Sequence, residues 1–158
     1  MNNIEFFKSL NYENGLSVVK GIFKRFPLQY GTTLGLDGKP QIRPLEFKFE
    51  EDGVLYFDTV STYDSYMEMQ QFPYIQICIG DQDSMSYIRV EGKVNFTNEK
   101  DVIGRCFDNS PVLTSQFGDD REKVVGYYLT AVNVEFRSFD KELGNHDYKL
   151  MNKFDLSA

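Results

Sequence analysis

The 158-residue chain carries 17 Lys and Arg against 24 Asp and Glu, a formal net charge of −7, with 41% hydrophobic residues and 15% aromatic ones. A chain of this length buries roughly two-thirds of its unfolded surface in one core, so a single domain over 1–158 is expected. The acidic balance, without a dense basic run, argues against nucleic acid and anionic membrane as partners. The N-terminal segment shows no basic-then-apolar leader and no apolar run reaches about 18 residues, which makes the cytoplasm the default location.

Leu16, Val18, Val19, Ile22, Phe23 and Phe26 recur at helical spacing after Asn14-Gly15 and predict a helix near 15–26, ended by Pro27 and covering a barrel end. Leu28 to Leu36 alternates loosely up to Asp37-Gly38, a strong hairpin signal, and Gln41 to Phe49 is the returning strand. Glu50-Glu51-Asp52-Gly53 turns the chain into a third strand, Val54 to Thr59. Ser61 or Thr62 is placed to cap a helix over 62–72, which Pro73 closes. Ile75 to Ile79 and Met85 to Phe96 predict a second hairpin across Gly80-Asp81-Gln82-Asp83. A helical stretch over 99–117, broken at Asn109-Ser110-Pro111, precedes a long strand from Val124 to Phe139 and a weaker segment from Tyr148 to Leu156. The pattern is mainly β: an antiparallel barrel of six or seven strands with short helices outside it.

Little in the sequence supplies catalysis by itself. There is one histidine, His146, in the turn-like Gly144-Asn145-His146-Asp147, where a solvated loop is expected, and no nucleophile elbow, phosphate loop or metalloprotease motif. Catalytic residues are therefore unassigned. Cys78 and Cys106 lack metal-ligand spacing and are expected to be buried free thiols, so no metal site is expected. The carboxylates of Glu50-Glu51-Asp52 and Asp119-Asp120 sit in glycine-flanked turns and read as solvated charge. The informative position is Arg43-Pro44. Proline inside a strand belongs at an edge, a bulge or a place where a ligand stands in for a neighbour strand, and Arg43 offers a planar fork suited to an anion.

The order of Asp37-Gly38-Lys39-Pro40, Gln41-Ile42-Arg43-Pro44-Leu45, Leu55-Tyr56-Phe57-Asp58-Thr59, a helix ending at Pro73, Tyr87-Ile88-Arg89-Val90-Glu91-Gly92-Lys93-Val94 and Ser110-Pro111-Val112-Leu113 resembles the pyridoxamine 5′-phosphate oxidase-like FMN-binding split barrel. The resemblance covers about 15–140 and is greatest to the nitroimidazole-resistance-like and general-stress-like branches. It implies a homodimer binding two flavin mononucleotides (FMN) at the subunit interface. It also implies oxidoreductase chemistry, in which electrons pass from a reduced nicotinamide to a small acceptor. On the matching positions Arg43, Thr59, Ser61 and Thr62 would hold the phosphate. Pro44 and Leu45, with Glu46, would place backbone against the ring, and Tyr87 and Arg89 would reach the other subunit's cofactor. The chain departs from the family at Tyr63-Asp64, where a cation is usual; this lowers the expected affinity and leaves Arg105 or a lysine from elsewhere to compensate. The other reading is a non-catalytic dimeric split-barrel module whose cofactor is lost or replaced by haem or another flat ligand.

Overall fold

A computed structural model describes residues 1–155. Strand alternation decides which way each segment faces. In β1 (Gln29–Leu34), Gln29, Gly31 and Thr33 are buried while Tyr30 and Leu34 are exposed, and β5 (Tyr74–Asp81) buries Ile75, Ile77 and Ile79 in the same manner. With β2 (Pro40–Leu45), β3 (Phe49–Glu51), β4 (Val54–Val60), β6 (Ser86–Thr97), β7 (Val124–Ser138) and β8 (His146–Leu150), they form one eight-stranded sheet. Its order is β2-β1-β5-β6-β7-β4-β3, with β8 paired to β7, and every pairing is antiparallel.

The long strand β7 organises this sheet. One side pairs with β6 along most of its length; the other pairs first with β4, from Val124 to Tyr128, and then with β8, from Val132 to Phe136. Between those two partners the register with β6 shifts at Glu91/Lys93, and Ala131 adopts φ 50°. A bulge of this kind bends and twists the ribbon. Glycine suits position 92, because a Cβ would lie in tight contact, 3.0 Å from the Leu129 Cβ and 3.3 Å from the Thr130 carbonyl oxygen. The sheet consequently curls without closing, and β2 and β3 remain its two ends.

Among the described residues five α-helices cover the sheet: α1 (Asn3–Ser9), α2 (Gly15–Arg25), α3 (Asp64–Gln71), α4 (Lys100–Asp108) and α5 (Pro111–Phe117). Helix α2 starts where the Asn14 side chain accepts from the Ser17 N–H at 3.1 Å, and its Val18, Val19, Ile22 and Phe23 enter the main core beside Phe57, Ile77, Val90, Leu129 and Phe136. Helix α4 places Val102, Ile103, Cys106 and Phe107 in a second cluster with Val54, Tyr56 and Val124. Strand β4 therefore lies between two apolar layers and is covered on both faces, each fully buried large side chain contributing about 1.5–3 kcal/mol.

Several expectations need correction. Among the described residues there are eight strands rather than six or seven, and Gln41 to Phe49 is not one strand. Chain 46–48 crosses from β2, which pairs with β1, to β3, which pairs with β4. The crossing is held by Gln29, which accepts from the Phe47 N–H at 2.6 Å and donates to the Phe26 carbonyl at 2.6 Å. Neither Ser61 nor Thr62 caps α3; Tyr63 occupies that position without a side-chain cap bond. His146 is not in a solvated loop but begins β8, stacked on Tyr12 at 4.6 Å. Cys78 is exposed on the outward side of β5, whereas Cys106 is buried. The unpredicted α1 carries a capping box between Asn2 and Glu5. Leu156, the far end of the weak terminal segment, lies outside the described residues.

Candidate ligand-binding site

A cavity of about 580 Å³ lies between the C-terminal parts of β2 and β4. Helices α3 and α5 and the chain before β1 complete it. Much of the wall is apolar: Leu28, Leu45, Val60, Met69, Ile75 and Leu113. Polar groups converge at two places, which is the usual composition of a small-molecule site.

At the first, the Arg43 guanidinium donates from Nη2 to the Glu68 carboxylate at 2.8 Å and from Nη1 to Thr33 Oγ1 at 2.9 Å. Thr33 in turn donates to the same Glu68 oxygen at 2.9 Å, which closes a triangle. Register explains the meeting: Arg43 lies opposite Gly31 on β1, two residues before the inward-facing Thr33, and Glu68 is on the buried side of α3. Glu68 is only 6% exposed at its side chain and Arg43 32%, so the carboxylate depends on this cation.

At the second place, Lys48 and Asp58 stand 3.7 Å apart, with side chains 3% and 10% exposed. Lys48 also reaches Glu46 at 3.3 Å, and Ser110 donates to the same Glu46 oxygen at 3.2 Å while capping α5 through the Leu113 N–H. Asp58 Oδ2 has no hydrogen-bond partner among the described residues. Burial pushes the Asp58 carboxyl up to about 6, with Lys48 and the neighbouring Cys106 thiol pulling the other way. Burial and Asp58 push that thiol up to about 12, so it is no ready nucleophile. Above them Tyr127 stacks on Phe57 at 5.5 Å, and its burial raises its phenol as well.

Of the residues singled out in the sequence, Arg43, Pro44, Leu45, Thr59 and Tyr63 line this cavity together. Ser61 and Thr62 do not; both are exposed in the turn before α3. Thr59 shares a 3.0 Å hydrogen bond with Ser65, so its hydroxyl is engaged within the wall. Tyr87 and Arg89 lie on the outward face of β6, where both bond to Glu135 on β7. Arg105 does not compensate either: it pairs with Glu51 at 3.1 Å and lies over the Phe49 ring at 3.9 Å. The lysine that does face the cavity is Lys48. Lys48, Asp58, Glu68 and Thr33 were not singled out as site residues, although a carboxylate within the apolar run Leu55-Tyr56-Phe57-Asp58 was a visible signal for one of them.

These residues fit one half of an FMN and not the other. The apolar walls and the β2 backbone suit a flat ring system. The anion cradle expected for its phosphate does not assemble, since Arg43 is bound to Glu68, Ser61 and Thr62 are elsewhere, and Asp64 stands at the start of α3.

No protein-family model and no curated protein matches this sequence. Solved structures do. A NimC/NimA family protein from Clostridium acetobutylicum is 24% identical with a TM-score of 0.75, over 88% of this chain and 96% of its own. A protein from the same organism related to general stress protein 26 of B. subtilis, of the pyridoxinephosphate oxidase family, is 9% identical at 0.69, over 89% and 96%. A pyridoxamine 5′-phosphate oxidase-related, FMN-binding protein from Nostoc punctiforme is 16% identical at 0.63, over 90% and 98%. At these identities the likeness establishes the fold, an antiparallel split barrel of the pyridoxamine 5′-phosphate oxidase-like type, as the sequence led one to expect.

Proposed function

We propose that this chain is a flavin-binding split-barrel protein that holds the isoalloxazine ring in the cavity between β2 and β4 and serves as an FMN-type oxidoreductase for a small-molecule substrate. The observation that carries the reading is the cavity itself, apolar along its walls, with backbone at Pro44 and Leu45 and two polar clusters at its ends. Transfer of a hydride from a reduced nicotinamide, and of electrons onward to a small acceptor, is the chemistry a bound flavin supplies. The chain's share is to orient the ring against Leu45, Met69 and Ile75 and to keep water from it.

A homodimer belongs to the same reading. The outward face of the sheet exposes Tyr30, Tyr74 and Tyr87 on β1, β5 and β6, apolar material of the kind that two-fold interfaces use. Light scattering is expected to give a dimer at micromolar concentration; a stable monomer removes the dimer and any cofactor site shared across it. A second reading, a binding module without turnover for haem or another flat ligand, is favoured by the closed Arg43–Glu68 pair. The absorption spectrum of the purified protein, followed by flavin titration, separates the two: a flavin spectrum or saturable flavin binding supports the first, and a haem band or indifference to flavin supports the second.

A further inference from the structure

Within the flavin reading, on which this inference rests, the triangle of Arg43, Glu68 and Thr33 determines which form of ligand the cavity takes. We propose that Glu68 neutralises Arg43 and makes the cavity selective for an uncharged ring system, so that a dephosphorylated flavin such as riboflavin binds about as tightly as FMN.

The argument is one of charge and of hydrogen-bond capacity. Arg43 is the cation at this end of the cavity; Nη2 already donates to Glu68 at 2.8 Å and Nη1 to Thr33 at 2.9 Å, so the N–H groups left for an anion belong to a guanidinium whose charge is already paired. A phosphate drawing Arg43 away would leave a carboxylate that is 6% exposed without its counter-charge, a penalty that offsets the new bond. A phosphate binding beside the intact pair meets no net positive charge. Asp64, in the first turn of α3, puts a negative charge at a helix end that would otherwise favour an anion. Of the hydroxyls expected to hold a phosphate, Thr59 is engaged with Ser65, and Ser61 and Thr62 do not line the cavity. Lys48, at the other end, is held between Glu46 and Asp58. Nothing in this arrangement penalises a neutral ring, whose contacts are with the apolar walls.

The test compares riboflavin and FMN by quenching of flavin fluorescence, in the parent protein and in Glu68→Gln, which keeps the shape and an acceptor oxygen while removing the charge. The parent is expected to bind the two within about threefold of each other. Glu68→Gln is expected to tighten FMN about tenfold and leave riboflavin within about threefold, the worth of one charge-assisted contact. Adding Arg43→Gln to that variant should abolish the gain. A parent that prefers FMN by tenfold or more, or a preference that does not move in Glu68→Gln, overturns the proposal.

Failure to bind either flavin refutes the functional reading instead, and the neutralisation is then read with inorganic pyrophosphate as the probe. The melting temperature should be unmoved by pyrophosphate in the parent and raised in Glu68→Gln. A rise in the parent that Arg43→Gln removes, or no rise in either protein, overturns it. Thr33→Val, which opens the triangle without touching its charges, is the second variant should Glu68→Gln fail to fold; it should give a smaller shift toward FMN or pyrophosphate, and no shift with it counts against the proposal.

Discussion

The two ends of one cavity hold the same kinds of group in opposite conditions. Arg43 and Glu68 touch at 2.8 Å with a threonine completing the pair, whereas Lys48 stands 3.7 Å from Asp58 Oδ2, which accepts no hydrogen bond among the described residues. Burial is not the distinction, since Glu68 and Asp58 are both nearly enclosed. Directional bonding is. A fork that donates two bonds in fixed geometry makes a closed unit, while a single ammonium shared between Glu46 and Asp58 leaves one carboxyl with its ionisation disfavoured.

The largest effect expected from that contrast is on the pH dependence of stability. With the Asp58 carboxyl raised from the ordinary 3.8 to about 6, the folded protein holds a proton that the unfolded chain has released over that range. Folding is thus favoured by this group at low pH and loses that advantage as pH rises from about 4 to 6, by roughly 3 kcal/mol on linkage. Asp58→Asn should remove this component, so urea midpoints of parent and variant should diverge between pH 4 and 7 in the variant's favour; parallel profiles would mean that Lys48 already satisfies the charge.

At the closed end, Glu68→Ala should destabilise by about 2 kcal/mol, less than for a fully buried pair because Arg43 is one-third exposed. The double substitution Arg43→Met with Glu68→Ala should cost less than the sum of the single changes, and a double-mutant cycle by denaturation measures the difference. Additivity would erase the contrast between the two ends. Ser110→Ala should cost about 1 kcal/mol by removing the α5 cap and the bond to Glu46 together. Thr33→Val is expected to cost about 1 kcal/mol, and thermal melting of the same set ranks these last two.

Much of the fold was legible because the sheet follows local signals. Asp37-Gly38 marked the β1–β2 hairpin, and of the settings Pro44 allowed, an edge, a bulge or a ligand contact, β2 takes the edge. Strand β3 was missed because alternation runs unbroken through 46–48 while the chain changes partner, and partner choice leaves no trace in a period of two. The site was half legible for a related reason. Arg43, Pro44, Leu45 and Thr59 are strand residues whose neighbours in sequence are neighbours in the cavity. Glu68 reaches Arg43 across 25 residues and from a helix, so its claim on that guanidinium exists only in three dimensions. His146 misled likewise, since stacking on Tyr12 turns an apparent loop residue into part of the packing.

Strand β7 has a further consequence in time rather than in space. On either side of its bulge it is paired on both edges, to β6 and to β4 or β8, so the amides of those two stretches are expected to exchange with solvent more slowly than those of an edge strand. Edge strand β2 is paired with β1 alone, and its release breaks the Arg43 bonds to Glu68 and Thr33 as well. Arg43 is carried on that edge, and Asp58 is carried on β4, which is fastened to β7. Amide exchange is therefore expected to be faster along β2 than along β4.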